Sequence, residues 1–152
     1  MAPTTPPVAQ PRATPTGTTL PLADELTQML DGRLPGLIGM RVTEASAERV
    51  LAELTVREEV LAPNGRLHAA TIVALADTAC GIGARLSIPE ESRFSTLEIK
   101  TNYLGTARAG VVSVVATPAH LGRRTQVWDA TVTDENGRTI ALFRCTQLVT
   151  PQ

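Results

Sequence analysis

One acidic residue stands inside the most apolar stretch of this chain. Residues 69–86 read Ala-Ala-Thr-Ile-Val-Ala-Leu-Ala-Asp-Thr-Ala-Cys-Gly-Ile-Gly-Ala-Arg-Leu, and Asp77 is the only carboxylate among them. Aspartate is a poor residue for a helix interior. An ionised carboxylate in apolar surroundings is costly unless it is paired or hydrogen-bonded. Two roles fit such a group: a structural carboxylate that bonds nearby backbone or a partner chain, or a general base or nucleophile at a sheltered interface. His68 comes just before the stretch. A histidine there either caps and packs or shapes the mouth of a site. If 69–86 is a helix, the amides of Ala69 and Ala70 lie at its positive end with no intrahelical acceptor. Such amides suit an oxyanion. Oxyanion donors followed two turns later by a carboxylate suit acyl transfer to water.

The elements that must position these groups follow from periodicity. Residues 69–86 are apolar nearly all round, which predicts a helix buried in the core. Its many Ala and Gly residues make a thin cylinder that a curved sheet can wrap, or that can meet a copy of itself across a dimer. Pro89 ends it. Before it, Leu22, Leu26, Met29 and Leu30 share one face of a short amphipathic helix stopped near Gly32. A strand is expected over 37–45, a turn at 45–48, and a second strand in which Val50, Ala52, Leu54 and Val56 alternate inward. Pro63 and the Asn64-Gly65 pair mark 61–68 as a loop. Four more strands follow. Leu97, Ile99, Thr101 and Tyr103 share one face of the first. Residues 111–116 form a nearly continuous β-branched run, and Trp128, Ala130 and Val132 alternate in the third. A hairpin turn at 134–137 leads into the last, over 139–149. Few helices and many short-linked strands predict an α+β arrangement: an antiparallel β-sheet with one long helix packed against it.

The 152 residues suit a single domain over 21–152. Residues 1–20 are rich in Pro, Thr and Ala and read as a disordered N-terminal tail. A net charge of −1 with interspersed signs, and an aromatic count of one Trp, one Tyr and two Phe, point away from nucleic acid. The longest fully apolar run, 72–76, is too short to span a bilayer, and no secretory signal is visible, so no membrane partner is expected. Cys80 and Cys145 lack metal-ligand spacing and read as reduced core thiols of a cytoplasmic protein with no metal site.

The stretch Pro63-Asn64-Gly65-Arg66-Leu67-His68-Ala69-Ala70, followed by Leu75-Ala76-Asp77-Thr78-Ala79-Cys80-Gly81, resembles the signature of hotdog-fold acyl-CoA thioesterases of the phenylacetate-degradation (PaaI-like) type. The segments 96–104, His120-Leu121-Gly122-Arg123-Arg124-Thr125 and 134–138 resemble that family's later strands and turns, in unbroken order over about 36–149. The resemblance implies a hotdog fold, with the sheet wrapped around the central helix. It implies homo-oligomers, a dimer or a dimer of dimers, with active sites at the subunit interface. The substrate would be an acyl-CoA thioester with a medium-chain or aryl acyl group, and no cofactor beyond the CoA it carries. Asp77 matches the catalytic acid, as general base or as nucleophile. His68 matches the histidine at the site's mouth, and Ala69 the first of two glycines whose amide serves the oxyanion hole. Gly65, Ala70 and Gly81 fall in the same motif as substrate contacts. Gly122, Arg123, Arg124 and Thr125 match a turn that contacts CoA, where arginines suit phosphates; a solvated hairpin end is the alternative. Two departures stand out. Alanines replace the paired glycines, and Ala62 stands where the family has Asn or Gln, with Asn64 the nearest substitute. A module that holds acyl-CoA without hydrolysing it is therefore the alternative function. Hydratase chemistry ranks below both, since His120, in the CoA turn, is the only other histidine.

Overall fold

The computed structural model describes residues 20–151, so all of the expected tail except Leu20 lies outside them. Six strands form one sheet: β1 (Arg41–Ala45), β2 (Val50–Thr55), β3 (Arg93–Tyr103), β4 (Val111–Leu121), β5 (Thr125–Thr133) and β6 (Thr139–Thr150). Their spatial order is β1-β2-β4-β5-β6-β3, and every neighbouring pair is antiparallel. Helices α1 (Leu20–Met29) and α2 (Leu34–Leu37) precede β1, and the long helix α3 (Ala69–Leu86) lies between β2 and β3 in sequence. The chain thus crosses the whole sheet along α3, and β3 is laid down as an edge strand.

The expected alternation is visible in what is buried. Val50, Ala52 and Leu54 of β2, Val112, Val114 and Ala116 of β4, and Trp128, Ala130 and Val132 of β5 face the core. They pack against Thr71, Ile72, Leu75, Ala76, Ala79, Cys80, Gly83 and Ala84 of α3. The helix is long and apolar enough to cross a bilayer by length and composition, yet half of it is buried inside the domain. The opposite stripe of α3, which includes Val73, Asp77, Thr78, Gly81 and Ile82, is only half-buried. The all-round apolar pattern therefore buries one face against the sheet and leaves the other partly open.

Both ends of α3 are tied down by side chains. At the start, His68 is the N-cap and its Nδ1 accepts from the Ala70 amide at 3.0 Å. At the end, Ser87 Oγ donates to the Ala84 carbonyl at 2.9 Å. Gln126 Nε2 donates to Ser87 Oγ at 3.0 Å, and Trp128 Nε1 donates to Gln126 Oε1 at 3.0 Å. The buried Gln126 thus couples the helix terminus to β5, with both its amide nitrogen and its amide oxygen hydrogen-bonded.

Two strand expectations are corrected. The strand expected over 37–45 begins only at Arg41. Pro35 sits in the first turn of α2, where its missing N–H costs nothing, and Gly39 turns the chain at φ +82°. Ile38 and Met40 are buried as core plugs and are not strand residues. In β3, a bulge between Thr96 and Glu98 breaks the simple alternation. Thr96 pairs with Gln147, and Ile99, Thr101 and Tyr103 pair with Cys145, Phe143 and Ala141. Directly opposed residues share a face. Thr96 therefore joins Ile99, Thr101 and Tyr103 on the α3 side, which unbroken alternation forbids.

Helix and sheet are in close contact at Gly83. A Cβ built there would overlap the Trp128 ring. Gly83→Ala normally favours a helix, by about 1 kcal/mol. Here the methyl enters a filled core, and overpacking typically costs about 1–3 kcal/mol. The variant is expected to unfold at lower urea concentration than the wild type, and an unchanged or raised midpoint would contradict this packing.

Candidate active site

Asp77 points from the half-open stripe of α3 into an apolar cavity of about 540 Å³. α1 supplies Leu26, Met29 and Leu30 as one wall, α3 continues with Gly81 and Ile82, and Phe94 and Thr96 of β3 close the far side. α1 holds this position partly because Thr27 Oγ1 accepts from the Val42 amide at 3.0 Å and donates to the Ala23 carbonyl at 2.9 Å. The first helix is thereby fastened to edge strand β1 beside the cavity.

The polar surroundings of Asp77 are sparse. Its Oδ1 lies 3.4 Å from Thr96 Oγ1. Among the described residues it has no ion-pair partner. Burial raises the Asp77 carboxyl above the ordinary carboxylate range, and the hydroxyl of Thr96 opposes that shift. Arg33 and Arg85 also line the cavity, but their guanidinium groups donate to backbone carbonyls. Arg33 reaches Met29 at 3.0 Å and Asp31 at 3.3 Å; Arg85 reaches Pro89 at 3.2 Å and Glu90 at 2.9 Å. Behind the carboxylate, Cys80 and Cys145 are free, buried thiols. Hydrogen bonding to Cys145 and burial push the Cys80 thiol well up, so it stays neutral. No group of three or more His, Cys, Asp or Glu side chains is gathered among the described residues.

The residues singled out in the sequence fall into three places. Asn64, Gly65, His68, Ala69 and Ala70 surround the start of α3 and are solvent-exposed. Gly65 turns the loop at φ +71°, and Asn64 Oδ1 accepts from the Arg66 amide at 3.1 Å. Because His68 takes the Ala70 amide, the donor left without an acceptor among the described residues is that of Ala69. Asp77 and Gly81 line the cavity in the middle of the helix. Gly122, Arg123 and Arg124 line a second cavity of about 780 Å³ with Ser87, Gln126 and Leu148, at the far end of α3. Thr125 closes that hairpin, its carbonyl accepting from the Gly122 amide at 3.0 Å.

These groups do not meet within one chain. The Ala69 amide and Asp77 are eight residues apart on one helix, about 12 Å at 1.5 Å per residue. A single thioester carbonyl cannot contact both. Sequence reading also missed Thr96, Gln147, Phe94 and the α1 wall as site residues. Gln147 left one legible signal, a polar residue in phase with the inward apolar positions Cys145 and Val149.

An antiparallel sheet packed on one long helix, with a sheltered carboxylate on that helix, defines the class as hotdog-fold proteins. The family model described as Thioesterase superfamily matches residues 64–141. The 1,4-dihydroxy-2-naphthoyl-CoA hydrolase of Listeria monocytogenes is 37% identical over 109 residues, covering 72% of this chain and 89% of that protein. The protein of the same name from Escherichia coli is 31% identical over 126 residues, covering 83% and 93%. The crystal structure of a thioesterase from Haemophilus influenzae superposes with a TM-score of 0.81 at 28% identity, covering 85% of this chain and 90% of that one. The chain belongs to the thioesterase superfamily.

The raised Asp77 carboxyl has a consequence for stability. A carboxyl whose folded-state pKa exceeds its unfolded value binds its proton more tightly when folded, so folding loses stability as pH rises between the two values. Asp77→Asn removes this titration. The Asn variant's Tm is expected to rise relative to wild type as pH climbs out of the ordinary carboxylate range, and to level off above the folded midpoint. Parallel Tm–pH curves for the two proteins would show that Asp77 is not desolvated.

Proposed function

We propose that the protein hydrolyses an acyl-CoA thioester with a medium-chain or aryl acyl group, releasing the free acid and CoA. The observation that carries this reading is a lone carboxylate, without an ion-pair partner among the described residues, facing an apolar cavity of acyl-group size. As general base, Asp77 takes a proton from water, the oxygen adds to the thioester carbonyl, and the C–S bond breaks with the proton passing to the thiolate. As nucleophile, it attacks the carbonyl itself and expels CoA thiolate, and water then cleaves the mixed anhydride, which restores the carboxylate, releases the acid and leaves a proton for the thiolate. Two relatives are named for an aryl acyl-CoA, and the apolar wall of Leu26, Met29, Leu30 and Phe94 accords with such a ring. The chemistry asks for no cofactor beyond the CoA of the substrate. We place it in the cytoplasm, where Cys80 and Cys145 stay reduced.

The 12 Å between Ala69 and Asp77 supports a site shared by two copies, each offering its helix start to the other's carboxylate. The unpaired edge of β3 supplies the means. Leu97, Ile99 and Tyr103 are 59%, 46% and 47% exposed there, and an eleven-residue edge strand with such side chains is a template for pairing. The protein is thus proposed as a homodimer or a dimer of dimers. His68 and Asn64 border the shared site, with Gly65 and Ala70 beside them. The turn of Gly122, Arg123, Arg124 and Thr125 lies along the C-terminal end of α3 and offers two guanidinium groups to CoA phosphates.

One observation favours a second reading. Ala62 brings no side-chain amide to the loop before α3, so a module that holds acyl-CoA without turnover also fits. Saturable binding of benzoyl-CoA with thiol release no faster than spontaneous hydrolysis would establish that reading.

A panel of benzoyl-, phenylacetyl-, hexanoyl- and octanoyl-CoA separates these outcomes by free thiol released. Asp77→Asn should lower turnover by about 10²-fold or more with folding intact; retained turnover would remove Asp77 from the chemistry. The shared site has its own test. Ala69→Pro deletes one amide at a helix position where proline is tolerated. Mixed and allowed to exchange subunits, inactive Asp77→Asn and Ala69→Pro chains should regain up to about a quarter of wild-type activity, because half the dimers then hold one intact site. No recovery despite demonstrated exchange would confine each site to one chain.

A further inference from the structure

Gln147 is a fully buried polar side chain on the inward face of β6. Its neighbours in the pleat are Cys145 and Val149, and in register it opposes Thr96 on β3 and Gln126 on β5. Gln126 has a structural task at the end of α3. Gln147 instead faces the carboxylate: its amide oxygen, as placed, is 3.1 Å from Thr96 Oγ1, which is 3.4 Å from Asp77 Oδ1. Its amide nitrogen is 3.3 Å from Cys145 Sγ.

Counting protons decides how this cluster is wired. A threonine hydroxyl carries one proton. With Gln147 Oε1 toward it, that proton faces two acceptors, and either the amide oxygen or the ionised carboxylate goes unserved. The two ends of an amide have the same outline, and their orientation follows from the hydrogen-bond network. Turning the amide over gives the Thr96 hydroxyl a donor and frees its own proton for the carboxylate. The NH2 then donates to Thr96, Thr96 donates to Asp77, and the Cys145 thiol donates to the amide oxygen.

We propose that Gln147 and Thr96 are positioning residues for Asp77, forming a relay in which the buried amide fixes the Thr96 hydroxyl so that its single proton points at the carboxylate. The inference rests on Asp77 being the reacting carboxylate. The β3 bulge belongs to the same device. It puts Thr96 on the helix side of the strand while Ile99 and Tyr103 keep that side too, and bulges recur where a strand must aim a side chain at a site. The other titratable or charged groups around Asp77 among the described residues are the Cys80 and Cys145 thiols, Arg33 of α1 and Arg85 of α3. The variants below leave all four in place.

The test is a carboxyl ¹³C NMR titration of the full chain labelled at aspartate, with the Asp77 resonance assigned by its loss in Asp77→Asn. In Thr96→Val the Asp77 midpoint should move to higher pH, because the donor to the ionised form is gone. Thr96→Ser should restore it, and Gln147→Met should move it the same way by less. With benzoyl-CoA below the wild-type midpoint, Thr96→Val should lower kcat about tenfold, the effect of one hydrogen bond to a charged group, with KM within about twofold. A merely structural role would lower Tm and leave the midpoint alone. If Thr96→Val does not fold, Thr96→Ala reads the same shift. An unmoved midpoint overturns the relay, and a downward one shows that Thr96 donates to Gln147 and accepts from protonated Asp77. The two readings fail separately: active Asp77→Asn sinks the catalytic role, whereas inactive Asp77→Asn with an unmoved Thr96→Val midpoint sinks the relay alone.

Discussion

The desolvation of one carboxylate by a helix packed on a sheet is the constraint on which the rest of this molecule turns. Asp77 sits on the one long helix among the described residues, on the stripe that the sheet does not cover, and α1 closes over it. Packing sets how much water reaches it. Small residues on the covered side of α3, Gly83 above all, let the helix sink against Trp128, while Asp77 on the other stripe takes its shelter from α1, Phe94 and Thr96. Without α1 over it, the carboxylate would stand in water and titrate as an ordinary surface acid.

Helix geometry then divides the labour. A carboxylate in the third turn gains shelter, and an amide at the first turn gains its free N–H and the positive end of the dipole. Both properties depend on position along one rod, so they cannot be brought together by that rod. The proposed second copy resolves this, and the unpaired apolar edge of β3 is the surface available for it. Stability and chemistry are coupled here as well. The burial that raises the Asp77 carboxyl opposes folding at neutral pH, and the buried side-chain hydrogen bonds of Gln126, Ser87 and Trp128 keep α3 seated while it does.

Much of this was legible in the residues. The strand alternation at Val50, Ala52 and Leu54 and at Trp128, Ala130 and Val132 reports a local property, the two-residue pleat, so it survives into the structure unchanged. The limits of α3 were equally local, with His68 before its first turn and Pro89 as the stop. The stretch before β1 misled because Ile38 and Met40 are apolar for reasons of core filling, and periodicity does not separate a plug from a strand. The partners of Asp77 were not legible. Thr96 and Gln147 lie 19 and 70 residues away in the chain, on strands whose adjacency depends on α3 crossing the sheet.

Type and spacing alone determined that a carboxylate would stand within an apolar helix, that an antiparallel sheet would hold that helix, and which family's motifs surround it. Tertiary structure decided the face on which the carboxylate emerges, the cavity it meets and the hydroxyl that reaches it. It also decided that the free amide at the start of the same helix stays out of the carboxylate's reach. The difference is physical: helix and strand periods are set by neighbours a few residues apart, whereas register, a single bulge and the closing of α1 over the cavity depend on contacts that exist only once the chain has folded.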